Sequence, residues 1–515
     1  MSQSERAGGR AGLGTELAVV GAVVALLTVC AIKVFPQMDD AYLLLLIKEQ
    51  GATAIRSAHA DRPAVGALWQ GLAVASGASF WRAGFVAHFV LWLALGLLAA
   101  RLWRRLFPGW ERFAVLAAVL SVAPIVVRTQ LSTVTISLLG VLSVVPVWLA
   151  VLCAWRFAET GRPALLACAV VLTGAGALLS EYGAVAAVSG AVLLAVAEKG
   201  PRARWSAAGL AAVSVVGYVA YVRMGSFAAR PLVDPTRQLG SLSVLLRAPF
   251  NLATRFWDAV AGDLFLSASA LQLEWQSKWS LAGVGAGVVL AAVLWRTSRS
   301  TPGESDAEQH VRRGRGILAL TASLLAGLLP VALMRPVFRS DFASRFEIPI
   351  LPVAASLTVA VLLAIVRARL QPLVAAFLGL VIGAATVRLC ADAVRQRRAM
   401  ASVASVLEPL VRSGPGVTLA VLSGNDLCYT SQVCTGSITR DWSADLGRKL
   451  WVETAADARS SMGRRGACGS PVLTGLAERR FERGAPQAPS WVDLVDQAPR
   501  VDSYCLASGG PQGAQ

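Results

Sequence analysis

Two adjacent carboxylates, Asp39 and Asp40, follow Pro36 and stand at the head of the apolar stretch Leu43–Ile47. Like charges side by side raise each other's pKa, which suits a carboxylate that must accept a proton. The plain alternative is a helix start, where paired acids cap the first turn and oppose the helix dipole. Further along come His59, Asp61, Arg62 and Pro63. They supply a second acid, a fixed cation and a proline that stiffens the turn; an ordinary polar loop with a local ion pair would look the same. A third cluster runs from Arg335 to Pro349 and holds Arg335, Arg339 and Arg345. Arginine forks suit bidentate phosphate recognition, and the alternative is contact with lipid headgroups. Arg128 is a lone cation on a short turn, and Glu181-Tyr182 follows Ser180 between two apolar runs. Glu181 either contacts an acceptor or a metal, or is a helix-end acid.

What must position these residues is a membrane body. The 515 residues are 55% hydrophobic and only 15% charged, well below the roughly 25% charged residues of a soluble chain. That excludes a soluble enzyme, a disordered regulator and a fibrous protein. Apolar runs of about 20 residues cross a bilayer as helices, and such runs fall at about 17–35, 83–100, 113–127, 133–155, 164–179, 183–197, 205–222, 280–295, 317–334, 347–366 and 371–390. The fold class predicted is an all-α polytopic membrane protein of about eleven transmembrane helices. A short tail, 1–16, precedes the multispan domain, 17–390.

The formal charge of +17 does not point to nucleic acid, because the basic residues sit in short clusters between apolar runs. With the N-terminus cytoplasmic, those clusters fall on cytoplasmic loops: Arg101, Arg104, Arg105 and Arg112; Arg156 and Arg162; Lys199, Arg202 and Arg204; Arg296, Arg299, Arg312, Arg313 and Arg315; Arg367 and Arg369. This is the positive-inside pattern facing an anionic lipid surface. The connections 36–82, 223–279 and 335–346 then lie outside, and so does the polar tail 391–515. Every candidate above lies outside too, where a surface site fits better than a conduction path; among ionisable groups within the spans His88 is the main exception.

Cysteine usage agrees with an outer tail. Cys30, Cys153, Cys168 and Cys390 lie in or beside spans as small filler. Cys428, Cys434, Cys468 and Cys505 lie in the tail and predict two disulfides with three possible connectivities. A zinc site is disfavoured there, since the tail has neither a C-x-x-C pair nor a histidine. Val417–Leu422 reads as strand, so the tail is predicted to be a small α/β cap. Gly283, Gly285 and Gly287 lie inside a span and predict close helix packing, as do Gly174 and Gly176. Trp69, Trp81, Trp257, Trp275 and Trp279 are expected in an interfacial belt.

An acidic pair after the first span, Asp39-Asp40-Ala41-Tyr42, and a later Asp61-Arg62-Pro63 element together resemble the GT-C glycosyltransferases. The resemblance is nearest to the branch of the aminoarabinose transferases and protein O-mannosyltransferases. Arg345-Phe346 followed by Pro349 and Pro352 is similar to that family's late Arg-Tyr-x-x-Pro pattern. The chain departs from the common form in having Ala64 after Asp-Arg-Pro. The resemblance implies a GT-C-like fold and an inverting glycosyltransferase that takes a sugar from a polyprenyl-phosphate donor to a cell-envelope acceptor. It implies a bacterial plasma membrane, with the carboxy-terminal domain extracytoplasmic. On it Asp39 or Asp40 is the base, with Asp39 favoured, and Asp61 orients the acceptor or a metal. Arg62, Arg339 and Arg345 hold the lipid phosphate, with His59, Arg128, Glu181 and Tyr182 as further binding residues. No cofactor is required and a divalent metal is an option. The rival class is a transporter or flippase for a lipid-linked or acidic solute.

Overall fold

The computed structural model describes residues 3–33, 51–58, 63–76, 80–123, 134–224, 242–257, 259–260, 278–299, 307–333, 347–387, 418–423, 450–454 and 500–505. Among them, six helical stretches are long and apolar enough to cross a membrane: Ala83–Leu106, Leu138–Thr160, Pro201–Arg223, Leu281–Ser298, Glu347–Ile365 and Ala368–Val387. The chain is a helical membrane protein on that evidence. Three shorter apolar helices, Gly14–Val29, Pro163–Leu179 and Glu181–Ala197, accompany them. The last two have 17 residues each, a rise of about 25 Å.

In chain order the helices are α1 (Gln3–Lys33), α2 (Ala54–Ala58), α3 (Pro63–Ser76), α4 (Phe80–Leu106), α5 (Ala114–Ser121), α6 (Val134–Thr160), α7 (Pro163–Leu179), α8 (Glu181–Ala197), α9 (Pro201–Met224), α10 (Leu242–Trp257), α11 (Lys278–Ser298), α12 (Ala307–Leu333), α13 (Leu351–Ile365) and α14 (Ala368–Val387). Short hairpins reverse the chain at 161–162, at Ser180 and at 198–200. Gly161 takes φ +70°, the left-handed region open to glycine, and Pro163 and Pro201 open the helices that follow.

Small residues let neighbouring helices touch backbone to backbone. A Cβ on Gly176 of α7 would lie 2.5 Å from the Ser143 carbonyl oxygen of α6. One on Gly287 of α11 would lie 2.6 Å from the Leu380 carbonyl oxygen of α14, and one on Gly383 would lie 2.6 Å from the Gly287 Cα. The glycine run in α11 is therefore a packing seam at Gly287, although Gly285 faces open space. Ser189 of α8 and Ser323 of α12 pair hydroxyl to hydroxyl at 2.8 Å, and the Ser323 hydroxyl lies 2.8 Å from the Ser189 carbonyl. Such bonds hold helices together where lipid supplies no hydrophobic drive.

Because consecutive helices alternate in direction, the basic connections gather at one end of the bundle, here the basic end. There Arg104 pairs with Glu16, Arg105 pairs with Glu159, and Trp155 Nε1 donates to Glu198 Oε1 at 2.8 Å. The opposite end carries Ser180, Glu347 and the last turns of α9 and α12.

Three expectations change. The run 113–127 is not a described span: after the turn Glu111–Phe113 the helix α5 has eight residues, every one buried. Eight residues rise about 12 Å, too little to cross; the run is apolar because protein surrounds it. Within 223–279, α10 is no simple loop. Asn251 Nδ2 donates to the Ala332 carbonyl at the end of α12 (3.3 Å), and the Val260 carbonyl accepts from Thr358 Oγ1 (2.9 Å), about two turns into α13. The segment thus runs from the end opposite the basic one into the body, with Leu246, Phe250 and Trp257 exposed along one side. Trp69 is not interfacial: it is 2% exposed and packs with Ile55, Val65, Ala73, Leu138 and Leu139.

In the tail, β1 (Thr418–Ser423) lies between β2 (Leu450–Thr454) and β3 (Arg500–Cys505), parallel to the first and antiparallel to the second. β1 begins one residue after the predicted strand.

Candidate functional site

The α7–α8 joint is built on one extended residue. Ser180 has φ −167° and ψ 165°, and α8 begins directly after it. The reversal is this tight because a Cβ on Gly183 would stand 2.1 Å from the Gly176 carbonyl oxygen, so no side chain fits between the two helices. Ser180 Oγ donates to Ser143 Oγ (2.8 Å), which donates in turn to the Gly140 carbonyl (2.8 Å). These bonds fasten the joint to α6.

Glu181 occupies the first turn of α8, where a carboxylate opposes the helix dipole. It is half-buried and accepts a hydrogen bond from Tyr221 Oη of α9 at 3.1 Å. The Tyr221 ring is 3% exposed and lies 6.1 Å, centroid to centroid, from that of Tyr218, which is 41% exposed. A carboxylate oriented by a buried phenol and flanked by a more open one can hold a hydroxyl or amine. Tyr182 is buried instead, beside Gly140, and acts as packing.

Glu347, 7% exposed, opens the turn into α13. Ile348 packs against Gly140, and Trp148 Nε1 donates to the Pro349 carbonyl at 3.0 Å. The stretch that follows Arg345 is thereby tied to α6 within a turn of Ser143, next to the Glu181 joint. Tyr221 and Glu347 were not singled out from sequence. The signals available were the i, i+3 tyrosine pair ending α9 and an acid in the first turn of an apolar run.

Asp39, Asp40, His59, Asp61, Arg62, Arg128, Arg339 and Arg345 lie outside the described residues, as do Cys428, Cys434 and Cys468. Cys505 ends β3, its backbone opposite Thr418. The described residues that flank these candidates gather at the Glu181 end. Ile55 and Val65, on either side of 59–62, pack with Leu138 and Leu139 near the start of α6. Leu333 and Glu347 bracket 334–346.

Among the described residues, no three or more His, Cys, Asp or Glu side chains are grouped to hold a metal ion. His88 is buried in α4 beside Trp92, and neither ring nitrogen has a hydrogen-bond partner among the described residues. Cys153 and Cys168 are free thiols on adjacent helices, their sulfurs 4.0 Å apart. No protein-family model matches the chain, and no curated protein matches it.

Proposed function

We propose that the chain is an integral-membrane glycosyltransferase of GT-C type, working on a polyprenyl-phosphate-linked sugar at the end of the bundle opposite the basic one. The observation that supports this is the gathering at one end of Glu181 with its Tyr221 partner and of the described residues flanking 59–62 and 334–346. An acid, a base and phosphate-binding cations are what such a transfer needs in one place.

In the proposed reaction Asp39 or Asp40 takes the proton of the acceptor hydroxyl. The acceptor oxygen bonds to the anomeric carbon as the bond from that carbon to phosphate oxygen breaks, and polyprenyl phosphate departs. A single displacement inverts the anomeric centre. Arg62, Arg339 and Arg345 stabilise the charge that builds on the departing phosphate, with His59 and Arg128 as further contacts. Asp61 and Glu181 orient the acceptor. The basic end is cytoplasmic, about eleven spans cross the membrane, and the tail is an extracytoplasmic α/β unit built on its three-stranded sheet.

The test is turnover of a polyprenyl-phosphate sugar by the full-length protein in liposomes, with Asp39→Asn, Asp40→Asn and Asp61→Asn. Loss of the base should lower the rate by about 10²–10⁴-fold while the protein still elutes as folded. Unchanged rates in both Asp39→Asn and Asp40→Asn, or solute flux without sugar transfer, would favour the transporter.

A further inference from the structure

The basic end holds an arrangement that the proposed transfer does not use. After Phe107 the chain turns at Pro108 and Gly109, with Gly109 at φ +86°. Trp103 Nε1 donates to the Trp110 carbonyl (2.6 Å), and the two indoles stack 6.4 Å apart with 12° between their planes. On this platform lies Arg313 of α12, its Cζ 4.7 Å from the centre of the Trp110 ring. Arg112, in the turn before α5, lies 4.9 Å over Phe113. Neutral amides orient both guanidiniums: Arg313 Nη2 donates to Gln309 Oε1 (3.0 Å) and Arg112 Nη2 to Gln371 Oε1 (3.2 Å). Gln371 is itself buried and donates Nε2 to the Leu363 carbonyl at 2.9 Å.

Two half-buried cations are therefore held in place by aromatic faces and amides. The nearby carboxylate, Glu111, accepts from the Gly109 N–H through Oε2 (2.8 Å) and forms no ion pair with Arg313. Arg313 Nε is buried and has no hydrogen-bond partner among the described residues. Burial, and after it the Arg313 guanidinium, lowers the pKa of Arg112. Burial likewise lowers that of Arg313, opposed by Glu111. Two cations that disfavour each other's charge are stabilised by an anion placed between them, and a tetrahedral phosphate offers enough oxygens for two forks. Basic pockets between membrane helices are suited to headgroup phosphates.

We propose that Arg112 and Arg313, framed by Trp110, Phe113, Gln309 and Gln371, form a binding site for a phosphate ester at the basic end, remote from the proposed transfer site. The phosphate comes either from a phospholipid headgroup of the adjoining leaflet or from a soluble phosphate.

The test uses the full-length protein in detergent. Phosphatidylglycerol, phosphatidylcholine and inorganic phosphate are titrated separately, read by native mass spectrometry and by the shift in thermal unfolding midpoint. Phosphatidylglycerol should bind at least about tenfold more tightly than phosphatidylcholine, a gap of about 1.4 kcal/mol. Arg112→Gln and Arg313→Gln should each lose about tenfold, while Arg299→Gln should stay within about twofold. Arg299 lies at the same end, 4.6 Å over Trp295. If either glutamine variant fails to fold, Arg313→Lys keeps the charge without the fork and should still weaken binding. Binding of inorganic phosphate that both glutamine variants lose identifies a soluble ligand, and binding of phosphatidylglycerol alone identifies lipid. Equal losses in Arg299→Gln, or unaltered binding in both Arg112→Gln and Arg313→Gln, overturn the proposal, as does binding of neither phosphate source. None of these results depends on whether the protein transfers sugar.

Discussion

Gly183→Ala puts the Glu181 joint under direct strain. The new Cβ would lie 2.1 Å from the Gly176 carbonyl oxygen, 2.3 Å from its carbonyl carbon and 2.9 Å from the Ala177 nitrogen, all backbone atoms of the facing helix. Side-chain carbons essentially never approach closer than 3.0 Å, so α7 and α8 must separate by about 0.9 Å. The helices are joined through Ser180 alone, and Ser180 is bonded to Ser143 at 2.8 Å, so separation also strains that buried bond. Overpacking costs about 1–3 kcal/mol and a lost hydrogen bond about 1 kcal/mol, so the substitution should destabilise by about 2–4 kcal/mol. Gly209→Ala is the matched control: a Cβ there meets nothing within 4 Å, and removing a mid-helix glycine contributes about 0.5–1 kcal/mol. Thermal unfolding of both variants in detergent, followed by size-exclusion fluorescence, should show Gly183→Ala well below the parent and Gly209→Ala at or above it. If the two variants unfold at the same temperature, the close approach of α7 and α8 is refuted.

The serine pair linking α8 to α12 should show a coupling of about 0.6 kcal/mol, and no more than about 1.7 kcal/mol, in a double-mutant cycle of Ser189→Ala and Ser323→Ala measured by unfolding; additive losses would mean the two hydroxyls act independently. Tyr221→Phe removes one hydrogen bond to Glu181 and should cost about 0.5–1.5 kcal/mol of stability. If Glu181 orients the acceptor, Tyr221→Phe should also raise the acceptor KM more than it lowers kcat, and equal loss in both would assign the phenol another role.

Hydropathy and charge made the membrane body legible, because lipid demands long apolar helices and the basic residues mark their ends. Leu281–Ser298 and Ala368–Val387 fall where they were expected. The same logic failed at 113–127, since hydropathy cannot separate a residue facing lipid from one facing protein, and α5 faces protein on every side. It failed at Trp69 for the same reason. Helix α10 escaped notice because Arg247, Asn251 and Arg255 interrupt its apolar character; the repeat of Leu246, Phe250 and Trp257 along one face was the readable sign. Glu181 was visible as an acid in a polar break. Its partner Tyr221 was not, because only the packing of α9 against α8 brings a residue 40 positions away to the carboxylate. The Arg112–Arg313 arrangement was likewise hidden: positive-inside counting scores each arginine singly and says nothing of which two converge.

The most direct test of the glycosyltransferase proposal is the position of a bound phosphate. A structure of the full-length protein with a polyprenyl-phosphate analogue would show where the headgroup sits. If the chain transfers sugar as proposed, the phosphate contacts Arg339 or Arg345 and the Asp39–Asp40 pair lies across the anomeric position from it, at the Glu181 end. Density for the headgroup away from those residues, or a path running through the body to the basic end, would contradict it.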